Sequence, residues 1–117
     1  MKTAADMIAQ AKAQIKEVTP KDVMEMQSRG ENVTLLDCRD LPEVNLGKIP
    51  GAAHISRGNL ETKVEAVIPR DAHLVIYCAS GNRSAFAAVT LKEMGYQNVS
   101  SMATGFRGWV EAGGDVE

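Results

Sequence analysis

The sequence is short of several things, and each shortage closes a class of function. Its most apolar run, "LVIYCA" from Leu74 to Ala79, falls far below the roughly 20 residues needed to cross a bilayer. No membrane-spanning helix is expected. The charges nearly cancel, with 13 Lys and Arg against 15 Asp and Glu for a formal net charge of -2. Such totals offer no general attraction to nucleic acid or to an anionic lipid surface, and neither partner is expected. There are two cysteines and two histidines, Cys38, Cys78, His54 and His73, and none stand in the close pairs that tetrahedral zinc requires. No metal or other cofactor is expected, and two thiols suit a reduced cytoplasm. The opening "MKTAADMIAQAKAQIKEVTP" carries charges throughout and lacks a long apolar core before a small-residue cleavage site, so it reads as part of the folded protein. Internal repeats, low-complexity tracts and linkers are lacking too.

What is present fits one soluble domain: 117 residues, 44% hydrophobic and 24% charged, long enough to bury a core without disulfides. Thr3 and Asp6 read as a helix cap, and Ile8, Ala11, Ile15 and Val18 then share one helical face. This predicts an amphipathic helix over residues 1–16, ahead of the main body at 17–117. Thr19-Pro20 with Asp22 starts a second helix over 20–28, and Gly30 suits its stop. Residues 33–38, "VTLLDC", and 73–78, "HLVIYC", read as strands buried on both faces, with 52–56 and 98–102 as weaker strands. Leu60, Val64 and Val67 give a helix over 59–68, and further helices are expected over 84–94 and 105–112. Alternating strands and helices predict an α/β fold with a parallel sheet covered on both sides. Ligands of such sheets bind beyond the carboxyl ends of the strands, where Cys78 lies.

After Cys78, the residues Ala79, Ser80, Gly81 and Asn82 are small or turn-forming, and a helix follows from Ser84. Successive backbone N–H groups can curl there toward one centre, making an anion nest. The helix amino terminus and Arg83 add positive charge, so a thiolate at Cys78 is favoured at neutral pH without a histidine base. The plainer alternative, a small core cysteine ending a strand, loses ground because the nest, the arginine and the helix start arrive together.

At this point the residues resemble a known family. "LVIYCASGNRSAFAAVTLKEMGYQNVSSMATGFRGWVEAGG" looks like the catalytic half of a rhodanese domain, and "LLDCRDLPEVNLGKIPGAAHIS" is similar to that family's upstream signature. The resemblance implies a rhodanese-like three-layer α/β domain, with a five-stranded parallel sheet flanked by helices plus the extra N-terminal helix. It also implies a sulfurtransferase in which Cys78 takes a sulfane sulfur from thiosulfate or a thiol persulfide, holds it as a persulfide and passes it to cyanide, a thiol or a protein acceptor. Ala79, Ser80, Gly81, Asn82, Arg83 and Ser84 would form the substrate-binding cradle, and Asp37 and Arg39 match the acidic and basic pair of the upstream motif. The alternative is a sulfur carrier or regulatory module with little free turnover, serving one protein partner. The six-residue loop from Cys78 to Arg83 is that of rhodaneses, whereas related phosphatases and arsenate reductases use a longer one around a tetrahedral oxyanion.

Individual residues carry narrower expectations. Arg83 orients the loop or attracts an anionic donor, while Ser80 and Ser84 donate to the bound sulfur or cap the helix, the cap being favoured for Ser84. Asp37 and Arg39 are expected to brace loops as an ion pair rather than to react. Cys38 departs from the family's usual aliphatic residue and mirrors Cys78 at its own strand end; a core role is favoured over a resolving thiol. Val44 replaces a common aromatic, Lys48 a common histidine, and Ala79 a common basic residue, which favours thiol persulfides over doubly charged thiosulfate as donors. Tyr96, Phe106 and Trp109 are expected in the core, and His54 and His73 as strand residues. The reading further expects the Cys78 sulfur to lie accessible beneath an open pocket.

Overall fold

The computed structural model describes all 117 residues. In chain order it holds α1 (Ala4–Ala13), β1 (Lys16–Val18), α2 (Pro20–Ser28), β2 (Val33–Asp37), α3 (Leu41–Asn45), β3 (Ala53–His54), a 3-10 turn (Arg57–Asn59), α4 (Leu60–Val67), β4 (His73–Tyr77), α5 (Asn82–Glu93), β5 (Val99–Met102) and α6 (Gly105–Glu111). The five strands form one parallel sheet in the order β1-β5-β4-β2-β3, flanked by helices, with α1 as an extra helix before β1. This is the α/β architecture implied by the alternating pattern.

Strand side chains alternate between two faces, and each face feeds its own core. Leu36, Leu74 and Ile76 point with Leu60, Val64, Ala87, Ala88 and Leu91 into one layer. Leu35, Val75 and Tyr77 point with Val18, Val23, Met102 and Trp109 into the other. Tyr96 and Trp109 are buried, and Phe106 packs against the second layer. Helix α1 lies against α5, where Lys92 Nζ donates to the carbonyl of Gln14 at 2.8 Å.

Several boundaries differ from those read off the residues. Val18 belongs to β1 rather than to the first helix, which ends at Ala13; a three-residue strand with one buried side chain shows no period. The expected strand over 52–56 shortens to Ala53–His54, because after Ile55 the chain turns into the 3-10 segment. Val67 is 54% exposed while Ile68, beyond the helix, is buried in its place. Helix α5 starts at Asn82 rather than at Ser84. Helix α3 has no expected counterpart: its five residues bury nothing, although Asp40 and Glu43 form a capping box that signals it.

Candidate functional site

The strong apolar strand β4 ends at Tyr77, so Cys78 is the first residue past the carboxyl edge of the sheet. Its sulfur faces the same layer as Leu74 and Ile76, in keeping with the alternation along the strand. The next turn is tight because Gly81 takes φ +101°, a left-handed conformation that side chains disfavour, and α5 begins directly after it. Two amides meet at the sulfur: Gly81 N–H donates to Cys78 Sγ at 3.1 Å and Ser84 N–H at 3.4 Å. Ser84 is buried, with its Oγ 3.5 Å from that sulfur and 2.7 Å from Ser101 Oγ. It makes no capping hydrogen bond, and the residue at the helix cap position is Gly81, which corrects the expected cap role. The hydroxyl is instead part of the sulfur's surroundings.

Cys38 is the other neighbour of that sulfur. Strand β2 pairs with β4 in the register Leu36 to Ile76 and Asp37 to Tyr77, and Cys38 N–H donates to the carbonyl of Tyr77 at 2.9 Å. The two cysteines are thus consecutive extensions of paired strands, both unpaired thiols, both buried in the same layer. The neighbouring Cys38 thiol, followed by the Ser84 side chain and the amides at the start of α5, outweighs the cost of burial and draws the Cys78 pKa well below that of a free thiol. Cys38 moves the opposite way, held protonated by the Cys78 thiolate and by burial. One thiolate and one thiol share the site.

This arrangement makes a pH prediction. Since folding lowers the Cys78 pKa, its contribution to stability is complete above the ordinary thiol value and is lost as pH falls through about 4. Replacing Cys38 by alanine removes the neighbouring thiol and raises the Cys78 pKa, which titration of thiolate ultraviolet absorbance will show. An unchanged titration would mean that the loop amides suffice.

Arg83 pairs with a partner absent from the sequence reading. Its Nη1 and Nη2 each donate at 2.8 Å to the two carboxylate oxygens of Glu43, a bidentate pair that pulls Glu43 down to about 2. Asn82 opens α5, Ser80 is exposed, and Ala79 is half-buried. Asp37 and Arg39 lie buried beside this edge, with Arg39 Nε 2.9 Å from Asp37 Oδ1 and Nη2 2.7 Å from Oδ2. The same guanidinium donates at 2.7 Å to the carbonyl of Gly47 and lies 4.4 Å from the Phe106 ring centroid. Asp37→Asn therefore leaves a buried cation short of its counter-charge, and denaturant unfolding should show a loss of about 3 kcal/mol.

Helix α6 closes the other side. Phe106 N–H donates to the carbonyl of Cys78 at 2.8 Å and Arg107 N–H to that of Ala79 at 3.1 Å. Cys78 is 1% exposed, and none of the surface depressions is lined by it. The nearest, bounded by Ser80, Thr104, Arg107, Gly108 and Glu111, stops beside the loop. The expected open pocket is not found, because the sulfur lies buried in the layer it shares with Cys38 and α5, against Gly81 and Ser84. No three His, Cys, Asp or Glu side chains are grouped to share a metal ion.

Comparison with known proteins agrees with this geometry. A family model for the rhodanese-like domain matches residues 19–112. The chain is 34% identical over 97 residues to the thiosulfate sulfurtransferase GlpE of Haemophilus influenzae, covering 83% of this chain and 90% of that one. It is 35% identical over 79 residues to the proposed sulfur carrier protein YrkF of Bacillus subtilis, covering 68% of this chain and 42% of that longer protein. Among solved structures, a Rhodopseudomonas palustris protein of unknown function, described as a possible tyrosine phosphatase, superposes with a TM-score of 0.90 at 34% identity, covering 100% of this chain and 96% of that one.

Proposed function

Because the chain belongs to the rhodanese-like domain family, whose typical chemistry is transfer of sulfur through a protein persulfide, we propose that it moves a sulfane sulfur on Cys78. The observation that carries this reading is the Cys78 sulfur at the end of β4, accepting from the Gly81 and Ser84 amides at the start of α5, an arrangement that draws its pKa down. In the first half-reaction the thiolate attacks the outer sulfur of a donor, the donor's S–S bond breaks, and sulfite or a thiolate leaves. The amides and the α5 amino terminus then favour the negative terminal sulfur. In the second half-reaction cyanide or a thiol takes that sulfur and the thiolate is restored.

The donor we favour is a thiol persulfide rather than thiosulfate. Ala79 adds no charge to the loop, and the Arg83 cation is engaged by Glu43. Little unshared positive charge is left to draw a dianion. Ping-pong kinetics with a higher kcat/KM for glutathione persulfide than for thiosulfate, and negligible turnover of an aryl phosphate, is the expected result. Aryl phosphate turnover matching that of the sulfur donors would overturn the assignment in favour of a phosphatase, for which a loop this short provides too narrow a ring of donors.

A second reading, a sulfur carrier serving a protein partner, is favoured by the burial of Cys78. Persulfide loading with slow cyanide turnover, accelerated by an added protein acceptor, would select it over a free-standing enzyme.

A further inference from the structure

Cys38 has no chemical part in the transfer cycle, yet the fold places a second thiol beside the reacting one, in the same layer on the paired strand. The placement follows from strand order and alternation. β2 and β4 are direct neighbours with Asp37 opposite Tyr77, so the next residues on each strand stand side by side. Leu36 and Ile76, two positions earlier on each strand, share a layer with both cysteines. Cys38 and Cys78 therefore project to the same face. Neighbouring strands lie about 4.8 Å apart, inside the span of about 4.4 to 6.8 Å between Cα atoms that a disulfide accepts. Both thiols are buried in one layer, so each lies in reach of the other.

We propose that Cys38 is a resolving thiol, which clears the Cys78 persulfide as hydrosulfide when no acceptor takes the sulfur. This rests on the sulfur-transfer reading of Cys78. In the step, Cys38 sulfur attacks the inner sulfur of Cys78, the Cys38–Cys78 S–S bond forms, and the bond from Cys78 to the terminal sulfur breaks. The Cys38 proton passes to the leaving sulfur, so a persulfide anion and a thiol become a disulfide and hydrosulfide. The sulfane sulfur is reduced to hydrosulfide by the pair of electrons that the two cysteine sulfurs give up in becoming a disulfide. A dithiol then reduces the disulfide and is itself oxidised to a cyclic disulfide. Loading also prepares the attack, since the negative charge that holds the Cys38 proton moves outward from Cys78 to the terminal sulfur. The chain would thus turn a persulfide donor into free sulfide at the expense of a dithiol, an activity separate from passing sulfur to cyanide.

The test loads the reduced full chain with glutathione persulfide under anaerobic conditions, removes the donor, and follows intact mass and released sulfide without any acceptor. Wild type should first gain one sulfur atom, then lose it with stoichiometric hydrosulfide release, ending two hydrogens lighter than the reduced chain with a Cys38–Cys78 cross-link in its peptide map. Cys38→Ser should keep its sulfur and release no sulfide, and Cys38→Ala should do the same if the serine form does not fold. Wild type that keeps its sulfur as long as either variant, with no cross-link, overturns the resolving role and leaves the transfer reading standing. If neither wild type nor variant ever gains sulfur, the transfer reading itself fails and this inference falls with it.

Discussion

Replacing Cys78 by serine should abolish sulfur transfer, lowering thiocyanate formation from a persulfide donor and cyanide by about a thousandfold or more. The argument is chemical rather than steric. A serine hydroxyl fits the volume left by the thiol and can still accept from the Gly81 and Ser84 amides, which now donate to sulfur at 3.1 and 3.4 Å. The variant should therefore fold, less stable at neutral pH only by the contribution that the thiolate makes. What it lacks is an ionisable group: the surroundings that bring a thiol to about 4 cannot ionise a hydroxyl at neutral pH, and oxygen cannot store a sulfane sulfur for a second half-reaction. Steady-state kinetics beside denaturant unfolding separates the two effects. Turnover within tenfold of wild type would move the chemistry to another residue.

Gly105→Ala is the second large expected effect, and it acts from outside the loop. Gly105 has φ +57°, and a Cβ there would stand 2.7 Å from the Ala79 carbonyl carbon and 2.8 Å from its oxygen, with the Cys78 carbonyl oxygen also in its way. These are backbone atoms of the loop, which cannot swing aside as a flexible side chain can. Either α6 lifts off, breaking the bonds from Phe106 and Arg107, or the loop deforms and the amides lose their aim at the sulfur. Backbone strain and overpacking together should cost about 3 kcal/mol or more in denaturant unfolding, with a rise in the Cys78 pKa. Gly113→Ala is the control. It has φ +86° but open space around its Cβ, so it carries the conformational cost without the collision. Equal losses in the two variants would show that α6 does not press on the loop.

Local chemistry made Cys78 legible from its residues: a thiol closing a strongly apolar run, followed by small turn formers, an arginine and a helix. The sheet was legible for the same reason, because β2 and β4 are long enough to show continuous apolar runs. β1 was not, since three residues with only Val18 buried carry no pattern. Glu43 escaped as the partner of Arg83 because their contact spans 40 positions. Its nearby signal, the Asp40 and Glu43 capping box, points to a helix start and not to a distant arginine. The mirrored places of Cys38 and Cys78 were visible, but their contact depends on β2 lying next to β4, a matter of strand order. The docking of α6 on the loop was hidden too, because it runs through main-chain groups that any sequence possesses.

The most direct measurement is peptide-mapped mass spectrometry of the Cys38→Ser chain after glutathione persulfide treatment, a background in which no adjacent thiol can clear the product. The account predicts one added sulfur atom, on the peptide containing Cys78 and removable by cyanide as thiocyanate. A chain that stays unmodified while its Cys78 titrates as a thiolate would contradict it.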